Sequence, residues 1–136
     1  MDNKNTKTIW RCTKVKRYDA KKDSTISTEY VYDKNGNLIK HIEYDIDGSI
    51  DHWSENEYDN NGNCIKTIEY DPDGDIDYWY ESEYNENGKE VKLTYFDPEG
   101  NVDFWYETEY NENGNEIKNI IYNSDGSIDS WHEYEY

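Results

Sequence analysis

Acidic side chains recur at every second position near the start of the stretch YDPDGDIDYWYESEYNENG, residues 70–88. Alternating carboxylates followed by a glycine are the ligand pattern of a calcium loop of the EF-hand type. Four residues fit the first half of such a loop: Glu69, Asp71, Asp73 and Gly74. The position of the closing bidentate glutamate holds Tyr80, and the three equivalent stretches hold Ser54, Tyr106 and His132. Turn chemistry explains the acids without a metal, so weak calcium binding is only a lesser alternative.

Catalytic groups are not indicated either. Carboxylates are plentiful but repeated, whereas a catalytic pair needs one environment that separates two pKa values. The three histidines, His41, His52 and His132, have no serine or cysteine partner at a motif spacing. The glycines belong to hairpin turns and form no phosphate-binding loop between a strand and a helix. The sequence therefore predicts no catalytic residue, no metal ligand and no cofactor.

A unit of 26 residues occurs four times across residues 32–136, with segments of twelve and fourteen residues alternating. The first unit reads YDKNGNLIKHIE and then YDIDGSIDHWSENE. Two residue types mark the period: Trp53, Trp79, Trp105 and Trp131, and Lys40, Lys66, Lys92 and Lys118. A fixed period indicates a tandem repeat in which each unit packs on its neighbours.

Each half of the unit reads as a turn followed by a strand. A glycine holds the fourth turn position each time, at Gly36, Gly48, Gly62, Gly74, Gly88, Gly100, Gly114 and Gly126. Asp or Asn at the first position and a left-handed glycine at the fourth are typical of a type I turn with a bulge, which closes a short hairpin. We therefore predict an all-β fold, an antiparallel meander of about ten strands that forms one twisted or curled sheet.

The turn geometry also predicts which side chains share a face. If Asp71 faces Asp75 across its turn, regular pairing gives these partners: Tyr70 with Ile76, Ile68 with Tyr78, Lys66 with Tyr80, Phe96 with Val102 and Thr94 with Phe104. One face would then carry tyrosine, isoleucine and phenylalanine crossed by the lysines. The other would be acidic and contain the tryptophans, with Ile39, Ile65, Val91 and Ile117 between them.

This acidic face supplies the predicted partner-binding residues, because tryptophan is favoured at binding hot spots and acids attract a basic partner. They are Asp51, Trp53, Glu55, Glu57, Asp77, Trp79, Glu81, Glu83, Asp103, Trp105, Glu107, Glu109, Asp129, Trp131, Glu133 and Glu135. The alternative is that the tryptophans pack inside a curled sheet or against a second chain.

Charge is unevenly distributed along the chain. Residues 1–31 carry eight basic and four acidic residues, whereas residues 32–136 carry six basic and 28 acidic residues. We predict a single domain, in which residues 1–31 form basic N-terminal strands with a degenerate half-repeat and residues 32–136 form the four repeats. Such acidity repels nucleic acid and anionic membranes and attracts basic proteins. The basic strands could cap the edge of the sheet or meet the acidic end of another copy head to tail. Apolar area on both faces of an open sheet would favour curling or a homodimer.

The cellular location is predicted from what the sequence lacks. MDNKNTKTIW has no apolar core of a signal peptide, and no run is long and apolar enough to span a bilayer. Cys12 and Cys64 show neither a metal-binding spacing nor a disulfide framework. These features predict reduced thiols in a cytoplasmic protein.

The spacing of the Tyr-Asp dipeptides and the glycine-containing turns, as in YDKNGNLIKHIEYDIDGSID, resembles that of RHS/YD repeats. The stretch GNVDFWYETEYNENG is similar to MORN-like repeats of the YwqK type. The first resemblance implies β-sheet that spirals into shells around toxins, and the second implies an antitoxin-like role. Neither implies catalytic residues in the repeats, and so few repeats cannot enclose a toxin.

Together these observations predict a non-catalytic protein-binding module. The leading expectation is an immunity or antitoxin-type inhibitor whose acidic face blocks a basic, nucleic-acid-binding protein such as a toxin nuclease or a defence-system nuclease. The competing expectation is a self-associating structural or scaffold repeat protein in which the charge serves only solubility.

Overall fold

The computed structural model describes residue 11, residues 13–19 and residues 24–136. The predicted state of Cys12 therefore lies outside the described residues. Ten β-strands are present: β1 Lys14–Asp19, β2 Ser24–Tyr32, β3 Leu38–Tyr44, β4 Ile50–Tyr58, β5 Cys64–Tyr70, β6 Ile76–Tyr84, β7 Glu90–Phe96, β8 Val102–Tyr110, β9 Glu116–Asn123 and β10 Ile128–Glu133. Turns and short extended segments connect the strands from β2 to β10. No described residue belongs to a helix that could cross a membrane.

The strands form one antiparallel sheet in the order of the sequence, from β1 to β10. Each strand contacts only the strands before and after it, so β1 and β10 are the two ends of the described sheet. This arrangement confirms the predicted all-β meander of ten strands. The sheet is open, because its two ends do not meet.

The turn between β5 and β6 shows why the acids and glycines recur. The Asp71 amide donates to the Asp75 carbonyl at 3.0 Å, and the Gly74 amide donates to the Asp71 carbonyl at 3.2 Å. Asp71 Oδ1 accepts the backbone amides of Asp73, Gly74 and Asp75, each at 3.0 Å. Gly74 has a φ of 94°, which a residue with a Cβ rarely adopts. The predicted role of these residues in the turn is confirmed.

Tyrosine at the end of the longer strands ties neighbouring hairpins together. The hydroxyl of Tyr58 on β4 donates to the carbonyl of Leu38 on the adjacent β3 at 2.8 Å. The same bond recurs from Tyr84 to the Cys64 carbonyl at 2.7 Å and from Tyr110 to the Glu90 carbonyl at 2.8 Å. These carbonyls lie beside register shifts in the ladder, so the tyrosines provide them with donors.

The pairing register differs from the predicted one just beyond each turn. Tyr70 lies opposite Ile76 as predicted, but Glu69 lies opposite Tyr78, so Asp77 is an extra residue in a β-bulge. A one-residue shift moves all following side chains to the other face. Three predicted pairs are wrong. Ile68 lies opposite Trp79 and not Tyr78, Lys66 lies opposite Glu81 and not Tyr80, and Thr94 lies opposite Trp105 and not Phe104. Phe96 does lie opposite Val102.

No hydrophobic side chain of the described residues is fully buried, and the only buried side chains are those of Ser54 and Thr67. The surface area is 10262 Å², whereas a compact monomer of this mass exposes about 7500 Å². A single-layer sheet explains the difference, because neither face is covered by a second layer. Stability must therefore come from the backbone ladder and from contacts between side chains along each face.

Candidate binding surface

One face of the sheet carries the lysines, the tryptophans and two columns of glutamates, and we call it the lysine–tryptophan face. In the second unit, Lys66 Nζ lies 5.5 Å from the ring centroid of Trp79 and 3.3 Å from Glu81 Oε1. The first unit repeats this arrangement with Lys40, Trp53 and Glu55. The prediction that the lysines and the tryptophans lie on opposite faces is therefore wrong, because of the bulges beside the turns.

Each of three tryptophans stacks on an aromatic ring of the following unit. The ring centroids are 5.0 Å apart for Trp53 and Tyr70, 5.2 Å for Trp79 and Phe96, and 4.9 Å for Trp105 and Tyr122, with planes within 12° of parallel. These tryptophans are half-buried in the face, as a packing role requires. Trp131 is more open, with 55% of its surface exposed.

The inner glutamate column consists of Glu29 and the residues two positions after each tryptophan of the repeats, Glu55, Glu81, Glu107 and Glu133. Glu55 illustrates its contacts, since it binds Lys40 at 3.0 Å and lies 3.5 Å from the Tyr70 hydroxyl. Burial, followed by the charge of Glu55, raises the pKa of Tyr70. Most of the negative charge in this column is therefore balanced locally by lysine.

The repeat contacts extend into the segment before the four predicted units, where the sequence predicts basic strands with a degenerate half-repeat. Lys14 forms an ion pair with Glu29, and the Tyr44 hydroxyl donates to Glu29 at 3.1 Å. Hydrogen bonds from Lys14 and Tyr44 lower the pKa of Glu29, and the bond to Glu29 raises that of Lys14. The sequence did contain this signal, because Lys14 and Glu29 precede Lys40 and Glu55 by one period.

The outer glutamate column is more accessible to a partner. It contains Glu57, Glu83 and Glu109, each paired in register with a lysine of the next strand. The side chain of Glu83 is 68% exposed, and its Oε1 is 3.9 Å from Lys92 Nζ. Glu135, the predicted fourth member, follows the end of β10 and is exposed.

The aspartates predicted for the binding face do not lie in line with the tryptophans on the lysine–tryptophan face. Asp51 Oδ2 lies 2.9 Å from His52 Nδ1, and His52 faces Glu43 on the opposite face. Asp77 interacts with Glu69, whose pKa is raised mainly by burial and less by Asp77. The remaining two, Asp103 and Asp129, are exposed on their strands beside the corresponding turns.

Acidic residues are concentrated along the side of the sheet where alternate turns join the ends of the strands. The count of charge by residue range did not reveal this feature. Among the described residues, four hairpin segments lie at these strand ends, residues 45–51, 71–77, 97–103 and 123–129, and we call them the acidic edge. They hold twelve Asp or Glu residues and no Lys, Arg or His. Segments of equal length at the other edge, residues 33–39, 59–65, 85–91 and 111–117, hold six acids and two lysines. Summing charge over alternate turns would have revealed the difference.

The opposite face carries a cluster of aromatic rings in the later units. Tyr95 lies at its centre, 4.5 Å from Phe104, 5.3 Å from Tyr80 and 6.2 Å from Tyr106, measured between ring centroids. Burial raises the pKa of Tyr95. The first unit lacks this cluster, and its histidines and acids occupy the same region of the face.

Comparisons with known proteins give a family match over part of the chain. Residues 51–95 match the model of a family described as a protein of unknown function, DUF2963. No curated protein matches the sequence. Among solved structures, the chain is similar to a porin-like protein from Bacteroides uniformis ATCC 8492, with 16% identity and a TM-score of 0.49. That match covers 90% of this chain and 50% of the porin-like chain, and at this TM-score it supports no inference about function.

Proposed function

We propose that the protein is a non-catalytic binding module that inhibits a basic, nucleic-acid-binding protein, such as a toxin or defence-system nuclease. The observation that carries the proposal is the acidic edge, where twelve carboxylates lie in four successive hairpins without a basic residue. Carboxylates concentrated in this way attract a basic partner and raise its rate of association.

The linear charge density of the acidic edge supports competition with nucleic acid. Successive hairpins on this edge are two strands apart, a spacing of about 10 Å, so four hairpins span roughly 30 Å. Twelve carboxylates over that length give about one negative charge per 2.5 Å, compared with one per about 1.7 Å for duplex DNA. A groove that binds phosphates would therefore meet a similar density of charge.

The test is inhibition of a panel of small basic nucleases, measured as cleavage of a fluorescent oligonucleotide at several salt concentrations. Four of the twelve carboxylates of the acidic edge are neutralised by Asp73→Asn, Asp75→Asn, Glu99→Gln and Asp103→Asn, which spare the first-position residues that hold the turns. We expect the native chain to inhibit at least one nuclease with a strong dependence on salt, and this variant to lose at least tenfold in potency.

Two matched variants identify the surface that acts. Glu86→Gln with Glu112→Gln changes acids on the other edge and should leave inhibition intact. Glu81→Gln, Glu107→Gln and Glu133→Gln change the lysine–tryptophan face and should have the smaller effect, because lysines already balance most of that column. Equal inhibition by the native and acidic-edge chains, or inhibition of no nuclease in the panel, contradicts the proposal.

A second candidate function is self-association into a scaffold, and the two ends of the sheet favour it. β1 contains Lys14, Lys16 and Arg17, while β10 and its extension contain Asp129, Glu133 and Glu135. Unlike charges at the two ends favour head-to-tail contact between copies, and like charges oppose contact between identical ends.

The repeat register gives the pairing that such a junction would have. Continuing the β8–β9 pattern beyond β10 places Tyr18 of a second copy opposite Trp131, Lys16 opposite Glu133 and Lys14 opposite Glu135. The first pair would repeat the stacking of Trp105 on Tyr122 between two exposed rings, since Tyr18 is 61% and Trp131 is 55% exposed. A heterologous contact of this kind can continue into longer assemblies.

Sedimentation of two charge-reversal variants tests this second function. Glu133→Lys and Lys16→Glu each place like charges at every head-to-tail junction, so each should remain monomeric where the native chain associates. An equimolar mixture restores unlike charges at every junction between the two variants, so the mixture should associate again. A native chain that stays monomeric at high concentration eliminates the scaffold function and leaves the inhibitor function untouched.

A further inference from the structure

Two of the three histidines lie together on the opposite face, next to acidic side chains. His41 is on β3 and His52 on β4, and Glu43 of β3 lies between them, in register with His52. The Nε2 atom of each imidazole points at the same carboxylate: His41 Nε2 is 3.6 Å from Glu43 Oε1, and His52 Nε2 is 4.0 Å from Glu43 Oε2.

These distances are close to those between ligands of one metal ion. Zinc binds imidazole nitrogen and carboxylate oxygen at about 2.0–2.2 Å, which in a tetrahedron separates the ligand atoms by roughly 3.3–3.5 Å. Ligand atoms of Glu43, Asp51 and His52 already lie within 4.8 Å of one another, and a rotation of the His41 side chain would bring its Nε2, now 3.6 Å from Glu43 Oε1, into the same group. The side chains of His41 and His52 are 25% and 43% exposed, so water can complete the coordination.

Asp51 and Tyr30 hold the two imidazoles in place. Asp51 Oδ2 lies 2.9 Å from His52 Nδ1, so the tautomer that donates from Nδ1 leaves the Nε2 lone pair directed at the site. A carboxylate on the far nitrogen of a ligating histidine is the usual outer partner in zinc proteins. His41 stacks on Tyr30 with ring centroids 5.2 Å apart and planes 17° from parallel.

The repeat provides an internal comparison, because the other units lack these ligands. The residues equivalent to His41 are Thr67, Leu93 and Asn119, and those equivalent to His52 are Tyr78, Phe104 and Ser130. Aromatic packing needs no histidine there, as the later units show. The first unit thus departs from the repeat at the positions where its imidazoles converge.

The geometry points to a binding site for one divalent transition ion, such as Zn²⁺, Cu²⁺ or Ni²⁺, formed by His41, Glu43 and His52, with Asp51 orienting His52. Imidazole with carboxylate is a ligand set that suits these ions and not Ca²⁺ or Mg²⁺. Glu43 and Asp51 flank the first acidic turn, and Asp51 also belongs to the acidic edge, but the two histidines distinguish this site from the turns considered above for calcium. The metal site does not depend on the proposed inhibitor function.

Calorimetric titration of the full chain with ZnCl₂, and electron paramagnetic resonance with CuCl₂, test the site. We expect one equivalent of Zn²⁺ to bind with a micromolar Kd, and the Cu²⁺ spectrum to show coupling to two imidazole nitrogens. His41→Ala and His52→Ala should each weaken Zn²⁺ binding at least tenfold and reduce the coupling to one nitrogen. Asp51→Asn should cost about tenfold in affinity while both nitrogens remain coupled.

His132→Ala is the matched control, because the third histidine lies on β10, far along the sheet from β3 and β4. It should bind Zn²⁺ like the native chain, and circular dichroism should show that every variant keeps its sheet. The site is disproved if the native chain binds Zn²⁺ only at millimolar concentration and at many carboxylates. It is equally disproved if His41→Ala and His52→Ala bind as tightly as His132→Ala.

Discussion

Tryptophan serves mainly to connect units, because its ring lies between a lysine of its own unit and an aromatic ring of the next. Trp79 is the central example: it stacks on Phe96 and lies under Lys66. Its Nε1 is buried without an acceptor among the described residues, whereas Trp105 Nε1 donates to Glu107 at 3.1 Å. The packing role therefore does not depend on the indole hydrogen bond.

Replacing Trp79 and Trp131 with alanine should have different effects on stability. Trp79→Ala removes a half-buried ring between two units and should lower the free energy of unfolding by about 2 kcal/mol, less than for a fully buried tryptophan. Trp131→Ala removes a more exposed ring and should cost less than about 0.5–1 kcal/mol. Urea unfolding followed by circular dichroism measures both, and equal losses would argue against stacking as the main link between units.

Aspartate at the first position of a turn couples stability to pH. Asp59 accepts the amide of the Asn63 side chain at 2.9 Å and the backbone amides of Asn61 and Asn63 at 2.8 and 2.9 Å. The bonds from Asn63, side chain first, lower the pKa of Asp59. A carboxyl with a lowered pKa in the folded state stabilises the fold above its unfolded pKa of about 3.9 and loses this contribution as the pH falls through its folded pKa.

The variant Asp59→Asn tests this coupling with a residue that the later units use naturally. Asn85 Oδ1 accepts the amides of Asn87 and Lys89 at 3.0 Å, so asparagine can keep the turn. The native chain should be more stable than the variant at pH 7, and the difference should shrink as the pH falls from about 5 to about 3. Urea unfolding at several pH values measures this difference in the free energy of unfolding. A difference that stays constant with pH would show that protonation of Asp59 does not affect the stability of the turn.

At the scale of elements, the hairpin with its bulges is the structural unit. The turn determines the first residue pair of each hairpin. The extra residue of the bulge then places the following side chains of that strand on the opposite face of the sheet. Long tyrosine side chains bridge the irregular part of the ladder at the other end of each strand pair. Lysine, tryptophan and glutamate therefore share one face.

Glycine substitutions test whether backbone conformation is what each turn requires. A Cβ added to Gly48 would meet nothing within 4 Å, and one added to Gly74 would touch Trp53 at an ordinary 3.4 Å. Both glycines have positive φ, so Gly48→Ala and Gly74→Ala should cost about 1 kcal/mol each, from the left-handed conformation alone.

Gly74→Asn is the conservative control, because asparagine tolerates the left-handed region and should cost less than alanine. Urea unfolding of the three variants measures how much free energy of unfolding each substitution costs. A much larger loss for Gly74→Ala than for Gly48→Ala would indicate that the ring of Trp53 leaves no room for a methyl group.

At the scale of the whole molecule, the sheet behaves as a linear array, because every strand contacts only its two neighbours in sequence. Arrays of this kind derive stability from contacts between neighbours, so their ends open at lower free energy than their middle. No buried hydrophobic core spans several units of the described chain to make unfolding all-or-none.

Native-state hydrogen exchange should therefore show a gradient of protection along the sheet. Amides of β4 to β8 should exchange most slowly, and protection should fall towards β1 and β10. Deuterium uptake resolved by peptide measures the gradient at low protein concentration, where association between copies is avoided. Uniform protection across all ten strands would indicate global cooperative unfolding.

The sequence by itself determined the repeat, the number and direction of the strands, and the turn type. These features are local: the tetrad before each glycine defines its turn, and short turns between strands leave only an antiparallel meander. The same reasoning identified the 26-residue period and placed Tyr70 opposite Ile76, since that pair lies next to the turn.

Only the tertiary structure decided which side chains lie together. The inserted Asp77 looks like any other strand residue in the sequence, yet it transfers Trp79 to the face of Lys66, because side chains alternate with a period of two. The histidine cluster likewise joins residues from two strands, and its proximity depends on register across the sheet, which no local pattern in the chain specifies. The acidic edge differs, because it follows from the predicted meander and the charges of alternate turns.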